Sequence, residues 1–352
     1  MAAPAQPQQK KTLLMTEGSI WKSILLFSVP LILGNLLQQL YNTADSIIVG
    51  NFLGSNALAA VGSSGSPIYL LIGFSQGVAV GAGVVVSQYL GAKDKKETRI
   101  AVHTSLAIAV ILGLILTVGG IAVSRSLLIW MNTPEEVLGD AVTYMKLYFG
   151  GVLFSVVYNM AAGILNAAGN SRRSVLYLAC ASITNIILDL VLIAGLKMGV
   201  AGAAVATVIG QFCGCGLALY MNLRKNHDLH LRFRGFRPDW KIVGNIYAIG
   251  LPSVVMVAIG SVMTFCMNKI LITYHSAKET AATAFGIYFK LNSFVFMPVF
   301  GLNNGVVPIV AYNYGAQNRR RMMETIKRSA IYASCIMVLG MAIFWAIPGT
   351  LV

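Results

Sequence analysis

Two carboxylates stand in long apolar stretches of this chain. Asp45 closes the uncharged run Ser23–Ala44, and Asp189 lies in the run Val175–Leu196. A carboxylate in hydrocarbon is costly unless it is hydrated, paired or protonated, so acids in such places mark ion or proton pathways. Asn185 precedes Asp189 by four residues and shares its helix face. An amide oxygen beside a carboxylate can coordinate a sodium ion or hydrogen-bond a protonated acid. Two acids in one low-dielectric cavity disfavour double ionisation, which suits a proton carrier. The bland alternative is a wet helix-end Asp45 and a packed Asp189 bonded to Asn185.

The elements that must hold these acids are membrane helices. Of 352 residues, 57% are hydrophobic and 11% charged, where a soluble domain carries roughly 25% charge. A span needs about 20 apolar residues. Ser23–Ala44, about 57–83, Thr104–Ser124, Leu147–Asn166, Val175–Leu196, Val200–Leu223, Ile242–Thr273, Ala281–Tyr312 and Ser329–Trp345 qualify, which makes nine. Gly50–Asn56 is expected as the turn between the first two, with Asp45 ending the first helix. Asp189, about 22 Å past Ser174 at 1.5 Å per residue, then falls in the outer half. The two acids can meet at similar depth.

Lysine and arginine alternate between loops. Lys10 and Lys11 precede the first helix. Lys93, Lys95, Lys96 and Arg99 follow the second, and Arg172 and Arg173 the fourth. Arg224 to Lys241 follow the sixth, and Arg319, Arg320, Arg321, Lys327 and Arg328 the eighth. The odd loops are neutral or mixed, with Glu135, Glu136 and Asp140 in 133–140. This bias predicts a multi-pass protein with a cytoplasmic N-terminus. It also explains the net charge of +14 without nucleic acid, because no basic groove with interleaved aromatics is present. Cys180, Cys213, Cys215, Cys266 and Cys335 lie in apolar runs and read as small buried hydrophobes, with no metal or disulfide pattern.

Gly62, Gly77, Gly81 and Gly91 are each followed 224 residues later by Gly286, Gly301, Gly305 and Gly315. Trp21-Lys22 with Pro30 likewise resembles Trp240-Lys241 with Pro252. The six spans of the first copy start both copies on one side, so the repeats are parallel, a plan known in transporters. The expected fold is an all-α integral membrane protein of two helical lobes. A polar tail (1–16) precedes a six-helix N-lobe (17–223), a basic linker (224–241) and an incomplete three-helix C-lobe (242–352). By the same offset Val352 matches Leu128, and completing the repeat would take on the order of 95 residues more.

Pro30 and Pro252 each remove a backbone hydrogen bond and permit a kink, either static or coupled to lobe motion. Gly73, Gly77 and Gly81 read as helix packing. His227 and His230 lack further ligands, and Lys290 either snorkels or faces a cavity. No P-loop or G-x-S-x-G sequence supports ATP or serine hydrolysis.

Val29-Pro30 … Tyr41-Asn42-Thr43-Ala44-Asp45 … Val49-Gly50, with Asn185-Ile-Ile-Leu-Asp189 and Gly202-Ala-Ala-Val-Ala-Thr207, resembles the multidrug and toxic compound extrusion (MATE) transporters. The resemblance covers about residues 15–350 and implies the bacterial type, in the inner membrane, as a monomer. It implies export of cationic or amphiphilic small molecules in exchange for H⁺ or Na⁺ by alternating access, without cofactor or enzymatic activity. Carried over by position, the cation site is Asp45, Asn159, Asn185, Asp189 and Thr207. No acid lies between Ile242 and Thr273, so a second-lobe site is not implied, and Asn166 stands where arginine is usual. The alternatives are a lipid-linked sugar flippase of the same superfamily, which favours cavity cations such as Lys290, and a membrane-embedded enzyme.

Overall fold

A computed structural model describes residues 15–224, 238–274 and 278–346, which form helices joined by short turns. Nine of these helices are long and apolar enough to cross a bilayer. They are α1 (Ile20–Leu53), α2 (Ser55–Gly91), α3 (Lys95–Trp130), α4 (Glu135–Ala167), α5 (Ser171–Asp189), α6 (Gly199–Arg224), α7 (Trp240–Tyr274), α8 (Lys278–Gly315) and α9 (Arg319–Ala346). A π-helical turn, Leu190–Gly195, completes α5. Large aliphatic side chains face outward, Val118 being 69% exposed, as they do when lipid is the solvent. Trp21 and Trp240 lie at the starts of α1 and α7, and Trp130 and Trp345 at the far ends of α3 and α9. All four are exposed where an interfacial belt belongs.

Several boundaries differ from expectation. The first turn is a single residue, Gly54, not Gly50–Asn56. Its φ of +87° breaks the helix, and its N–H still reaches Gly50 O at 3.1 Å. Only glycine adopts that angle without strain, so α1 keeps its ladder through Asn51 and Phe52. Asp45 therefore sits inside α1 and does not end it. Glu135 and Glu136 form the first turn of α4, where acids favour the positive end of the helix dipole. Lys95 and Arg319 likewise open helices. Arg321 is not a solvated loop charge, since it is 9% exposed. Among the cysteines only Cys215 is buried. Cys266 and Cys335 are exposed and Cys180 and Cys213 intermediate, because a lipid-facing thiol is as well solvated as a buried one. His227, His230 and most of the basic linker lie outside the described residues.

The first six helices form one bundle, with α4 at its centre against α2, α3 and α6. The last three meet it through α7 on α2 and α8 on α1 and α2. These contacts exchange in pairs. A methyl placed on Gly77 would strike Val254, and one on Gly301 would strike Ile32. Gly81 lies against Ile246 and Gly250, and Gly305 against Ser28. Gly91 abuts the carbonyl of Tyr312, and Gly315 that of Gln88. With α2 and α8 offset by 224 and α1 and α7 by 222, each member of a pair maps onto the other. The equivalent glycines thus form a two-fold seam between the lobes. It runs from mid-helix to the ends of α2 and α8, the face that carries Lys93, Arg172 and Arg319, called here the basic face. Pro30 and Pro252 occupy the middle of this seam, Pro30 between Ser28 and Ile32 and Pro252 between Gly250 and Val254.

Candidate functional site

Asp45 and Asp189 come together in the first lobe. Their carboxyls lie within hydrogen-bond reach of each other. Asp189 is fully buried, and neither of its oxygens has a hydrogen-bond partner. Asp45 Oδ1 is also buried without a donor. Two ionised carboxylates repel, so a shared proton or an intervening cation has to hold the pair.

Asn185 and Thr207 adjoin the pair. Asn185 is 3% exposed, and its Nδ2 donates to Thr207 Oγ1 at 3.4 Å. Thr207 in turn donates to Ala203 O at 3.0 Å. The amide oxygen of Asn185 remains buried without a donor. Four buried oxygens therefore lack partners: Asp45 Oδ1, both of Asp189, and Asn185 Oδ1. Unsatisfied buried acceptors are uncommon, and an all-oxygen set suits a proton or a hard cation. No group of three or more histidine, cysteine or acidic residues that could hold a metal occurs among the described residues.

Local sequence explains the placement. Gly210 on α6 lies where a methyl would press on Ala181 O and Asn185 Cβ, at 2.9 and 3.1 Å. Glycine there lets α5 and α6 approach closely enough for Asn185 to reach Thr207. Asp189 is the last residue before the π-helical turn, a feature common at functional sites. The sequence gives no warning of that turn, because Leu190–Gly195 reads as an ordinary apolar stretch.

Asn159 makes no hydrogen bond to this set: on α4, it donates from Nδ2 to Ser75 Oγ of α2 at 3.3 Å. Asn166 has a clear partner, accepting from Ser174 Oγ at 2.8 Å and so tying the end of α4 to the start of α5. The side chain of Lys290 lies outside the described residues.

Sequence reasoning missed the tyrosines. Tyr41 and Tyr144 lie within electrostatic reach of Asp45, and Tyr144 also of Asp189. Tyr144 stacks on Tyr148, with ring centroids 6.3 Å apart. Tyr148 OH accepts from Gln211 Nε2 at 3.2 Å. Four helices, α1, α4, α5 and α6, each contribute a polar pair four residues apart: Tyr41/Asp45, Tyr144/Tyr148, Asn185/Asp189 and Thr207/Gln211. That recurrent spacing, which puts both members on one face, is the signal by which they are legible.

A helical membrane protein with paired acids buried in one of two related lobes has the build of a transporter. The chain matches the MatE family model over residues 30–191 and 252–352. It is 30% identical over 338 residues to the multidrug export protein MepA of Staphylococcus haemolyticus, covering 96% of this chain and 72% of MepA. It is also 30% identical to the probable multidrug resistance protein YoeA of Bacillus subtilis, with coverages of 91% and 69%. Among solved structures it superposes on an outward-facing multidrug resistance MATE family transporter with TM-score 0.89 and 27% identity, covering 95% of this chain and 74% of that one. Against a MATE structure in the bent conformation the TM-score is 0.91, at 27% identity, with coverages of 97% and 76%. The chain belongs to the MatE family, whose members are multi-pass membrane transporters and not enzymes.

Proposed function

We propose that the chain is a multidrug efflux protein, an antiporter that exports cationic or amphiphilic compounds in exchange for protons or sodium ions. The observation that carries this reading is the set of four donorless buried oxygens around Asp45 and Asp189. The names of its relatives, multidrug export and multidrug resistance proteins, support the substrate class. A coupling ion binds at this set and removes the repulsion between the acids. Binding drives the lobes only to the extent that the ion prefers one facing state over the other. Asn185 and Thr207 orient the site, and Asn159 acts from its periphery through Ser75. The prolines in the seam supply bends in α1 and α7 at the level where the lobes touch.

The basic face is assigned to the cytoplasm, as the lysine and arginine bias favours, and the protein works as a monomer with a boundary between lobes at 224–241. A cysteine at Asn56 reacts with an impermeant reagent from outside and one at Lys95 does not; the opposite pattern would reverse the orientation. Dye efflux from vesicles under separately imposed proton and sodium gradients tests the coupling. The Asp189→Asn protein is expected to reach the membrane at wild-type level and lose gradient-driven efflux. Full activity in that variant would refute the site.

A further inference from the structure

The segment before α1 crosses from one lobe to the other. Met15 is fully buried. A methyl on Gly169, in the turn between α4 and α5, would touch its Cε at 3.3 Å and the Phe27 ring at 3.4 Å. That side chain is thus seated against the first lobe. The backbone of the same segment is held by the second lobe. Arg321 of α9 donates from Nε to Met15 O at 3.0 Å, from Nη1 to Gly18 O at 2.7 Å and from Nη2 to Glu17 O at 2.9 Å. Its Nη2 also reaches Ser23 Oγ at 3.4 Å. Asn313 of α8 donates from Nδ2 to Met15 O at 2.8 Å. Beneath these bonds Met15, Ile20, Ile24 and Phe27 pack with Leu302, Val306 and Ile309.

The two-fold seam makes this grip one-sided. The mates of Asn313 and Arg321 are Tyr89 and Glu97, neither able to fork onto three carbonyls. Before α7, at the mate of Glu17, Asp239 N donates to Thr104 Oγ1 at 3.4 Å, while the carboxylate of Asp239 accepts from Lys241 N. Among the described residues, the same frame therefore carries a forked cationic clasp on one side and a neutral bond from Asp239 N on the other.

We propose that Arg321, with Asn313, is a latch across the lobes at the basic face, and that its release is required before the lobes separate there. It is a positioning residue for transport, since it touches neither acid and acts on the balance between facing states. The guanidinium suits this task because its fixed fork matches several carbonyls at once, whereas a lysine ammonium is a single point charge. Backbone carbonyls suit it too, because they hold without the desolvation of a paired carboxylate and so let go more readily. This inference rests on the two-lobe transport reading but not on the identity of the coupling ion.

Distances between spin labels at Lys95 and Arg319, exposed two-fold mates on the basic face, test it. They are measured in the full chain with native cysteines replaced, in lipid nanodiscs without any ion gradient. The latched protein is expected to give mainly the short distance. Arg321→Gln should raise the ratio of long- to short-distance populations about tenfold or more, and Asn313→Leu about threefold, in line with the loss of several bonds against one. Glu97→Gln, at the mate of Arg321, should leave the ratio unchanged within about twofold. Folded, monodisperse Arg321→Gln or Asn313→Leu protein with the wild-type distribution overturns the latch. So does an equal shift in Glu97→Gln. Asp189→Asn, read in the same assay, separates the two ideas: a coupling failure there with an intact latch response leaves the latch standing.

Discussion

The two halves of this molecule touch through equivalent glycines and differ in the polar groups placed on that frame. In the first half α1 and α5 bring Asp45 and Asp189 together beside Asn185, with oxygens that lack donors. In the second half α7 carries no acid at all, and the polar group of consequence, Arg321, binds the segment before α1 from the first turn of α9. Backbone proximity is therefore a symmetric property here and charge placement an asymmetric one. The difference teaches that a repeated scaffold can keep its contact surface while its polar groups diverge, with paired acids buried in one lobe and a carbonyl-binding arginine in the other.

The comparison breaks most easily at the acids. Asp45→Asn and Asp189→Asn are each expected to remove gradient-driven dye efflux to background, while Met267→Asn in α7 leaves it within about twofold, since an α7 side chain lies outside the acid cluster. An equal loss in all three would mean that the halves are not specialised.

The glycine seam gives the next largest effect, now with symmetry as the prediction. Gly91→Val and Gly315→Val should each destabilise the clasped form by about 1–3 kcal/mol through overpacking against Tyr312 and Gln88. The two should agree closely, because the contacts are two-fold mates. Gly244→Ala is the contrast: nothing lies within 4 Å of it, and removing a helical glycine should stabilise by about 0.5–1 kcal/mol. Thermal melts in detergent read all three, and a mismatch between the valine variants would deny the two-fold seam.

Smaller effects sharpen the site itself. Asn185→Ala is expected to raise the ion concentration for half-maximal efflux by about three- to tenfold, since it removes one oxygen and the bond to Thr207. An unchanged value would place the ion on the acids alone. Ser174→Ala, which frees Asn166, should cost about 1 kcal/mol of stability or less and leave coupling untouched. A change in coupling there would extend the site to the start of α5.

Much of the fold is legible along the chain because hydrocarbon imposes simple demands. Long apolar runs had to be helices, and nine helices long and apolar enough to cross a bilayer occur among the described residues. Basic residues had to cluster on one face. The turn at Gly54 was less legible, since Gly50 is as plausible a breaker by residue type, and only the angle of +87° distinguishes the two. The tyrosines and Gln211 escaped notice because an aromatic or amide in a membrane helix is ordinary until its neighbours are known.

By itself the sequence determined which residues must leave water, which segments are long and apolar enough to cross a bilayer, where the repeat lies and which acids are costly enough to need an explanation. These are properties of single segments in a uniform solvent. Only the tertiary structure decided that the acids of α1 and α5 face each other, that Asn159 turns toward Ser75, and that Arg321 is buried on carbonyls from residues 15–18. Those outcomes depend on how closely helices approach, which glycines far apart in the chain control by permitting backbone contact. No local pattern carries a distance between segments about 300 residues apart, such as Met15 and Arg321.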